Sequence, residues 1–221
     1  MAKGEKPTRL FLIRHGEVVE SAQGKFLGFT DAGLSANGRI QLQRLSQCLK
    51  TESLDRAYAS DLERAVESAQ IICRGRAIEP EGRGEFREMN MGEWDGRSWK
   101  EIERRYPNRK KFHFSNLKQF HFPGGENWDQ FRNRVLKGLN TLLDENRGKP
   151  ILLAAHAGVN RVILAKALGL PFKRMFFMDQ AYACLNIIEF YLDYAMVKLV
   201  NGTYYWPEKR RATGRSPLRK P

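Results

Sequence analysis

The segment Pro150–Ala155 (Pro-Ile-Leu-Leu-Ala-Ala) constrains the fold more than any other part of the chain, because it carries no polar side chain over six residues. It is too short for a typical core helix, and it stops at His156-Ala157-Gly158, so it reads as a strand buried on both faces. Such a strand needs a covering layer on each side, normally helices reached through crossover connections. The rest of the sequence agrees. Thr8–Ile13 is a second apolar strand, stopping at Arg14-His15-Gly16-Glu17, and Asp55–Ser60 is a third. Helical signals lie between them. Ser35 is placed to cap a helix to about Lys50, and Asp61 is expected to cap one through Cys73 with Leu62, Ala65, Ala69 and Ile72 on one face. Ser98-x-x-Glu101 is a capping box opening a short basic helix that Pro107 ends. Asn127-x-x-Gln130 opens another, with Phe131, Val135, Leu139, Leu142 and Leu143 on one face. A helix Val159–Leu168 and two alternating strands near Tyr182–Tyr191 and Ala195–Val200 follow. Strands alternating with helices predict an α/β fold, a three-layer α/β/α sandwich around a mostly parallel central sheet.

The length of 221 residues fits one large domain, read as residues 1–206. Residues 97–125 look like an insertion over one end of the sheet. Residues 207–221, rich in Arg, Lys, Pro, Gly and Ser, read as a basic disordered tail. With 38 basic against 25 acidic residues the chain is formally +13. Most of that excess sits in residues 97–118 and 207–221. Such runs first suggest nucleic acid or an anionic surface; the plainer reading is a solvated helix and a frayed tail. No apolar run reaches the ~18 residues of a membrane span, and the N-terminus lacks a signal-peptide core, so no membrane partner is expected. Cys48, Cys73 and Cys184 are odd in number, widely spaced and without a CxxC pair, which predicts buried free thiols and a cytoplasmic protein.

Polar clusters fall where a sheet of this kind binds ligands, beyond the carboxyl ends of its strands. Arg14 and His15 end the first strand, Arg64 follows the second, Glu88 follows Arg87, and His156 ends the apolar strand. Each has an ordinary reading alone: a satisfied strand-end histidine, a surface helix arginine, a solvated carboxylate, a strand-end cap. Together they are matched to a phosphoryl group, because guanidinium forks hold its oxygens bidentately and stay charged. The start of the helix after His156 adds amide donors.

These residues sit in four ordered motifs: Leu12-Ile13-Arg14-His15-Gly16-Glu17, Ala59-Ser60-Asp61-Leu62-Glu63-Arg64-Ala65, Arg87-Glu88-Met89-Asn90-Met91-Gly92-Glu93-Trp94-Asp95-Gly96 and Ala155-His156-Ala157-Gly158-Val159-Asn160-Arg161. In that order the chain resembles the histidine phosphatase superfamily, in its phosphoglycerate-mutase-like branch, over roughly residues 8–201. The resemblance implies the phosphoglycerate-mutase-like sandwich. It also implies His15 as a nucleophile forming a phosphohistidine, Arg14, Arg64 and His156 as the phosphate pocket, and Glu88 as the general acid. For attack, the second ring nitrogen of His15 should donate to a backbone carbonyl. Glu17, Ser21, Gly28 and Ala157 are the residues it places toward substrate, Glu17 orienting the pocket and Gly28 giving close backbone approach. Ser21 stands where the family usually has asparagine. No cofactor and no metal are implied, since fixed cations do the work of one.

The same pocket serves mutases and phosphatases. Met91 and Trp99 stand where the family's mutases carry tyrosine and lysine. Gly-Glu-Trp-Asp-Gly and Phe122-Pro123-Gly124-Gly125-Glu126-Asn127 are instead similar to the phosphatase branch, which includes broad-specificity and α-ribazole phosphatases. The expected partner is a small phosphorylated substrate. Alternatives are phosphoglycerate mutase and, in another class, a non-enzymatic anion or nucleic-acid binder with a relic pocket. The basic tail lacks aromatic interleaving, which argues against nucleic acid. Lys110, Lys111, Phe112, His113, Phe114, Lys118, His121 and Phe122 would roof the pocket and suit an anionic substrate with an apolar part, or else pack on the sheet. The oligomeric state stays open, a dimer included.

Overall fold

In a computed structural model, residues 6–106 and 121–203 are described. The roof residues 107–120 and the tail 207–221 lie outside them. A six-stranded sheet in the order β3-β2-β4-β1-β5-β6 forms the middle layer. Its strands are β1 (Thr8–Arg14), β2 (Arg56–Ala59), β3 (Glu81–Gly82), β4 (Pro150–Ala155), β5 (Leu185–Phe190) and β6 (Ala195–Gly202). β1, β2 and β3 join β4 in a parallel set, while β5 and β6 are antiparallel additions beyond β1.

Alternation along the central strands explains the two outer layers. Leu10 and Leu12 of β1, with Ile151, Leu153 and Ala155 of β4, face a core shared with α4 (Trp128–Glu145) and α5 (Ala157–Ala167). Phe11, Ile13, Leu152 and Ala154 face the other core, shared with α1 (Ala36–Cys48) and α2 (Glu63–Cys73). All six residues of β4 are buried, as its apolar run requires. Both capping boxes form: Ser98 with Glu101 at α3 (Trp99–Arg105) and Asn127 with Gln130 at α4.

Several expectations need correction. Asp61 does not cap α2; it pairs with the Arg87 guanidinium through two contacts of 2.6 and 2.7 Å. Asp31 takes the capping role from a distance, accepting from the Glu63 N–H with both oxygens (2.9 and 3.0 Å). The fifth strand begins at Leu185 rather than Tyr182, because Ala183 adopts φ 50°, a left-handed conformation that interrupts the ladder. β3 has two residues, too few for a readable pattern. Cys48 is exposed, whereas Cys73 and Cys184 are buried, and burial pushes their thiols up to about 11 and about 12. Phe122 does not roof a pocket: it lies in the core with its ring 5.3 Å from Trp94. Among the described residues no helix is long and apolar enough to cross a membrane.

Candidate active site

Strand register assembles the site. In the parallel ladder Arg14 is level with Ala155, so His15 and His156 are each one residue beyond adjacent strand ends. Their rings lie 5.2 Å apart, edge to face. Ser60, one residue past β2, completes the row, and its hydroxyl is 2.8 Å from His156 Nε2. Main-chain bonds hold the row in place: His15 N–H donates to Ala155 O, Ser60 N–H to Ala154 O, and Ala183 N–H to His15 O.

His15 Nδ1 lies 2.8 Å from the Gly16 carbonyl. A carbonyl can only accept, so Nδ1 carries the hydrogen and Nε2 keeps its lone pair. Burial, followed by the positive charges of Arg14 and Arg64, holds the His15 pKa well below its ordinary range. His156 is lowered in the same direction by burial and then by Arg64, His15 and Arg14. Both rings are therefore neutral at neutral pH.

The arginines are held by their far edges. Arg14 donates to Gln180 O (2.6 Å) and stacks 4.0 Å from the centre of the Tyr182 ring. Arg64 is fully buried and donates to Thr30 O and Gly28 O, both at 2.9 Å. Burial pulls its pKa down, and the carboxylates of Glu88, Asp31 and Asp95 oppose that. The loop that Arg64 grips is itself fastened by Asp95, whose carboxylate accepts from the N–H groups of Gly28, Phe29 and Thr30. Ser68 links the two sides of the site, accepting from Gly16 N–H and donating to Arg64 O. Arg14 Nε, Arg64 Nε and His156 Nδ1 are buried and have no hydrogen-bond partner among the described residues. Buried nitrogens left unmatched, two of them on guanidinium groups, are chemically suited to the oxygens of a phosphoryl group.

Glu88 stands on an irregular strap between the three-residue turns Gly84–Phe86 and Gly92–Trp94. Its Oε2 accepts from Gly158 N–H (2.9 Å) and its Oε1 from Met89 N–H (3.0 Å). The amide expected to face the phosphate thus faces this carboxyl group. Only glycine permits it: a Cβ on Gly158 would stand 2.3 Å from Glu88 Oε1. Gly28 is also a close-approach glycine, but its tight neighbour is the Met89 carbonyl, 2.3 Å from a Cβ placed there.

Of the residues expected toward substrate, Glu17 accepts from Ser35 Oγ (2.9 Å) and Asn37 Nδ2 (3.0 Å), fastening the loop after β1 to the start of α1. Ser21 is exposed on the turn Glu20–Ala22, and Ala157 is the half-buried first residue of α5. Sequence reasoning gave no role to Ser60, Ser68, Asp95, Gln180 or Tyr182. Ser60 and Asp95 lie inside the quoted motifs, so their position there was the available signal. Gln180 and Tyr182 precede β5, and the alternation that drew Tyr182 into that strand announces packing rather than a site. Among the described residues no three His, Cys, Asp or Glu side chains group to hold a metal ion.

A buried histidine beside two held guanidinium groups at the carboxyl ends of a mostly parallel sheet is suited to phosphoryl transfer. The chain belongs to the histidine phosphatase superfamily (branch 1), whose family model matches residues 10–203. It is 32% identical over 161 residues to phosphoglycerate mutase-like protein 4 of Arabidopsis thaliana, covering 72% of this chain and 70% of that one. It is 26% identical over 193 residues to the adenosylcobalamin/alpha-ribazole phosphatase of Escherichia coli strain K12, covering 87% and 95%. Among solved structures, the alpha-ribazole phosphatase from Shigella flexneri superposes with a TM-score of 0.81 at 27% identity, over 89% of this chain and 97% of that one.

Proposed function

We propose that the protein is a metal-independent phosphomonoester hydrolase acting through a phosphohistidine at His15. The observation that carries this is the pinned, neutral ring. With Nδ1–H committed to Gly16 O, the Nε2 lone pair attacks phosphorus in line while the bond to the leaving oxygen breaks. Arg14, Arg64 and His156 hold the equatorial oxygens and offset the charge that a metal would otherwise balance. Glu88 delivers a proton to the leaving oxygen. As a carboxylate it then takes a proton from the water that attacks the phosphohistidine, releasing inorganic phosphate and restoring His15.

The relatives named as phosphatases, and Met91 and Trp99 in place of the residues expected of a mutase, favour hydrolysis over transfer between hydroxyls. A small phosphorylated metabolite is the substrate class, with α-ribazole phosphate the first candidate on the strength of those relatives. The test is a panel of α-ribazole phosphate, phosphoglycerates and sugar phosphates assayed with a chelator present. Free phosphate is the expected product, and isomerised phosphoglycerate without phosphate release would sink the hydrolase reading. His15→Ala should abolish both turnover and acid-labile labelling of the protein by substrate phosphate; turnover retained in that variant removes the phosphohistidine mechanism.

A further inference from the structure

The strap that carries Glu88 has no strand or helix to fix it, yet its main chain is gripped from one side by a single guanidinium. Arg134 of α4 donates through Nη1 to Glu85 O (2.9 Å) and Arg87 O (3.0 Å), and through Nη2 to Glu88 O (3.2 Å). Its remaining edge meets Glu126, Nε to Oε1 at 2.8 Å and Nη2 to Oε2 at 2.7 Å. Glu126 Oε2 also accepts from Asn90 N–H (2.9 Å), and Glu126 N–H donates to Asn90 O, so the carboxylate ties the far end of the same strap. Both side chains are about one-fifth exposed. A planar fork that reaches three carbonyls and a carboxylate at once sets orientation as well as distance.

We propose that Arg134 and Glu126 are the positioning pair for Glu88. They fix its backbone from outside, while Gly158 N–H fixes its carboxylate from inside, and neither touches the phosphoryl group. This rests on the reading of Glu88 as the general acid. Two-point fixing matters because proton delivery to a leaving oxygen is steep in distance, whereas the charge field of Arg14 and Arg64 is not. Loss of the clamp should therefore slow phosphorylation of His15, the step that kcat/KM reads, only where the leaving group needs a proton.

The experiment compares kcat/KM for an alkyl monoester, β-glycerophosphate, with that for 2,4-dinitrophenyl phosphate, whose leaving group departs unprotonated. The full-length chain carries Glu126→Gln, Arg134→Lys or, as benchmark, Glu88→Gln, and inhibition by inorganic phosphate reports the pocket. Glu88→Gln should lose about 10²-fold or more on the alkyl ester and little on the aryl ester. Glu126→Gln and Arg134→Lys should lose about 10-fold on the alkyl ester and less than about 2-fold on the aryl ester. Phosphate inhibition should stay unchanged in both. Equal losses on the two esters in these variants, with discrimination retained in Glu88→Gln, overturn the positioning pair and leave the acid intact. Equal losses in Glu88→Gln overturn the acid itself. Should Arg134→Lys not fold, Glu126→Gln carries the test, since glutamine is isosteric with the carboxylate and keeps its Oε1 acceptor.

Discussion

The charge state of His15 and His156 follows from burial before any partner is counted, and this gives stability a definite pH dependence. Each folded imidazole titrates below its ordinary value near 6.5, so as pH falls the unfolded chain gains protons that the folded chain refuses. Stability present above that pH is lost progressively below it, at about 1.4 kcal/mol per pH unit for each ring. Urea unfolding of the ligand-free protein between about pH 7 and about pH 5 should show that slope, and His156→Asn should reduce it by one proton's worth. An unaltered slope contradicts a buried neutral His156. At this scale the sequence was most legible where function demands a rare residue type, as with Arg14, His15, Arg64, Glu88 and His156. It was least legible where ordinary residues serve by position: Tyr182 stacks on Arg14 and Asp95 fastens the loop of Gly28, and their types suit many other surroundings equally well.

Helices were read well because their signals are local, and the errors came where a partner lies far off in sequence. Both capping boxes complete themselves within four residues. The cap of α2 comes from Asp31, 32 positions upstream, which no local pattern announces. Asp31→Ala should therefore cost about 1 kcal/mol in thermal or urea unfolding. Asp61→Ala, which breaks only a part-exposed pair with Arg87, should cost less than about 1 kcal/mol. The reverse ranking would restore Asp61 as the cap. The start of α5 makes a sharper case. Gly158→Ala improves intrinsic helix propensity by about 1 kcal/mol, yet its new methyl must displace the Glu88 carboxylate. Activity on alkyl monoesters should fall at least about 10-fold while melting temperature changes little. Full activity in that variant would show that Glu88 needs no such close seat.

For the molecule as a whole, the three-layer plan was legible because one wholly apolar strand admits few alternatives, and the sheet order was not, because register and crossovers are set by contacts between distant segments. The resulting architecture divides the site into parts of unequal mechanical standing. His15, His156 and Ser60 hang from the ends of three adjacent central strands by main-chain bonds, with the helical layers closed over both faces. Glu88 hangs from an irregular strap clamped by side chains near the surface. Segments of the second kind open at lower free energy than central strands do. Rising urea should thus silence phosphoryl transfer from β-glycerophosphate before the burst of dinitrophenolate released from 2,4-dinitrophenyl phosphate, with that burst lost only at the global transition followed by tryptophan fluorescence; coincident losses would mean the strap opens only with the sheet. On the proposed mechanism, a phosphoryl acceptor that outlasts its proton donor leaves a partly denatured protein that activated esters can still load but that no longer clears the load, a trap rather than a catalyst.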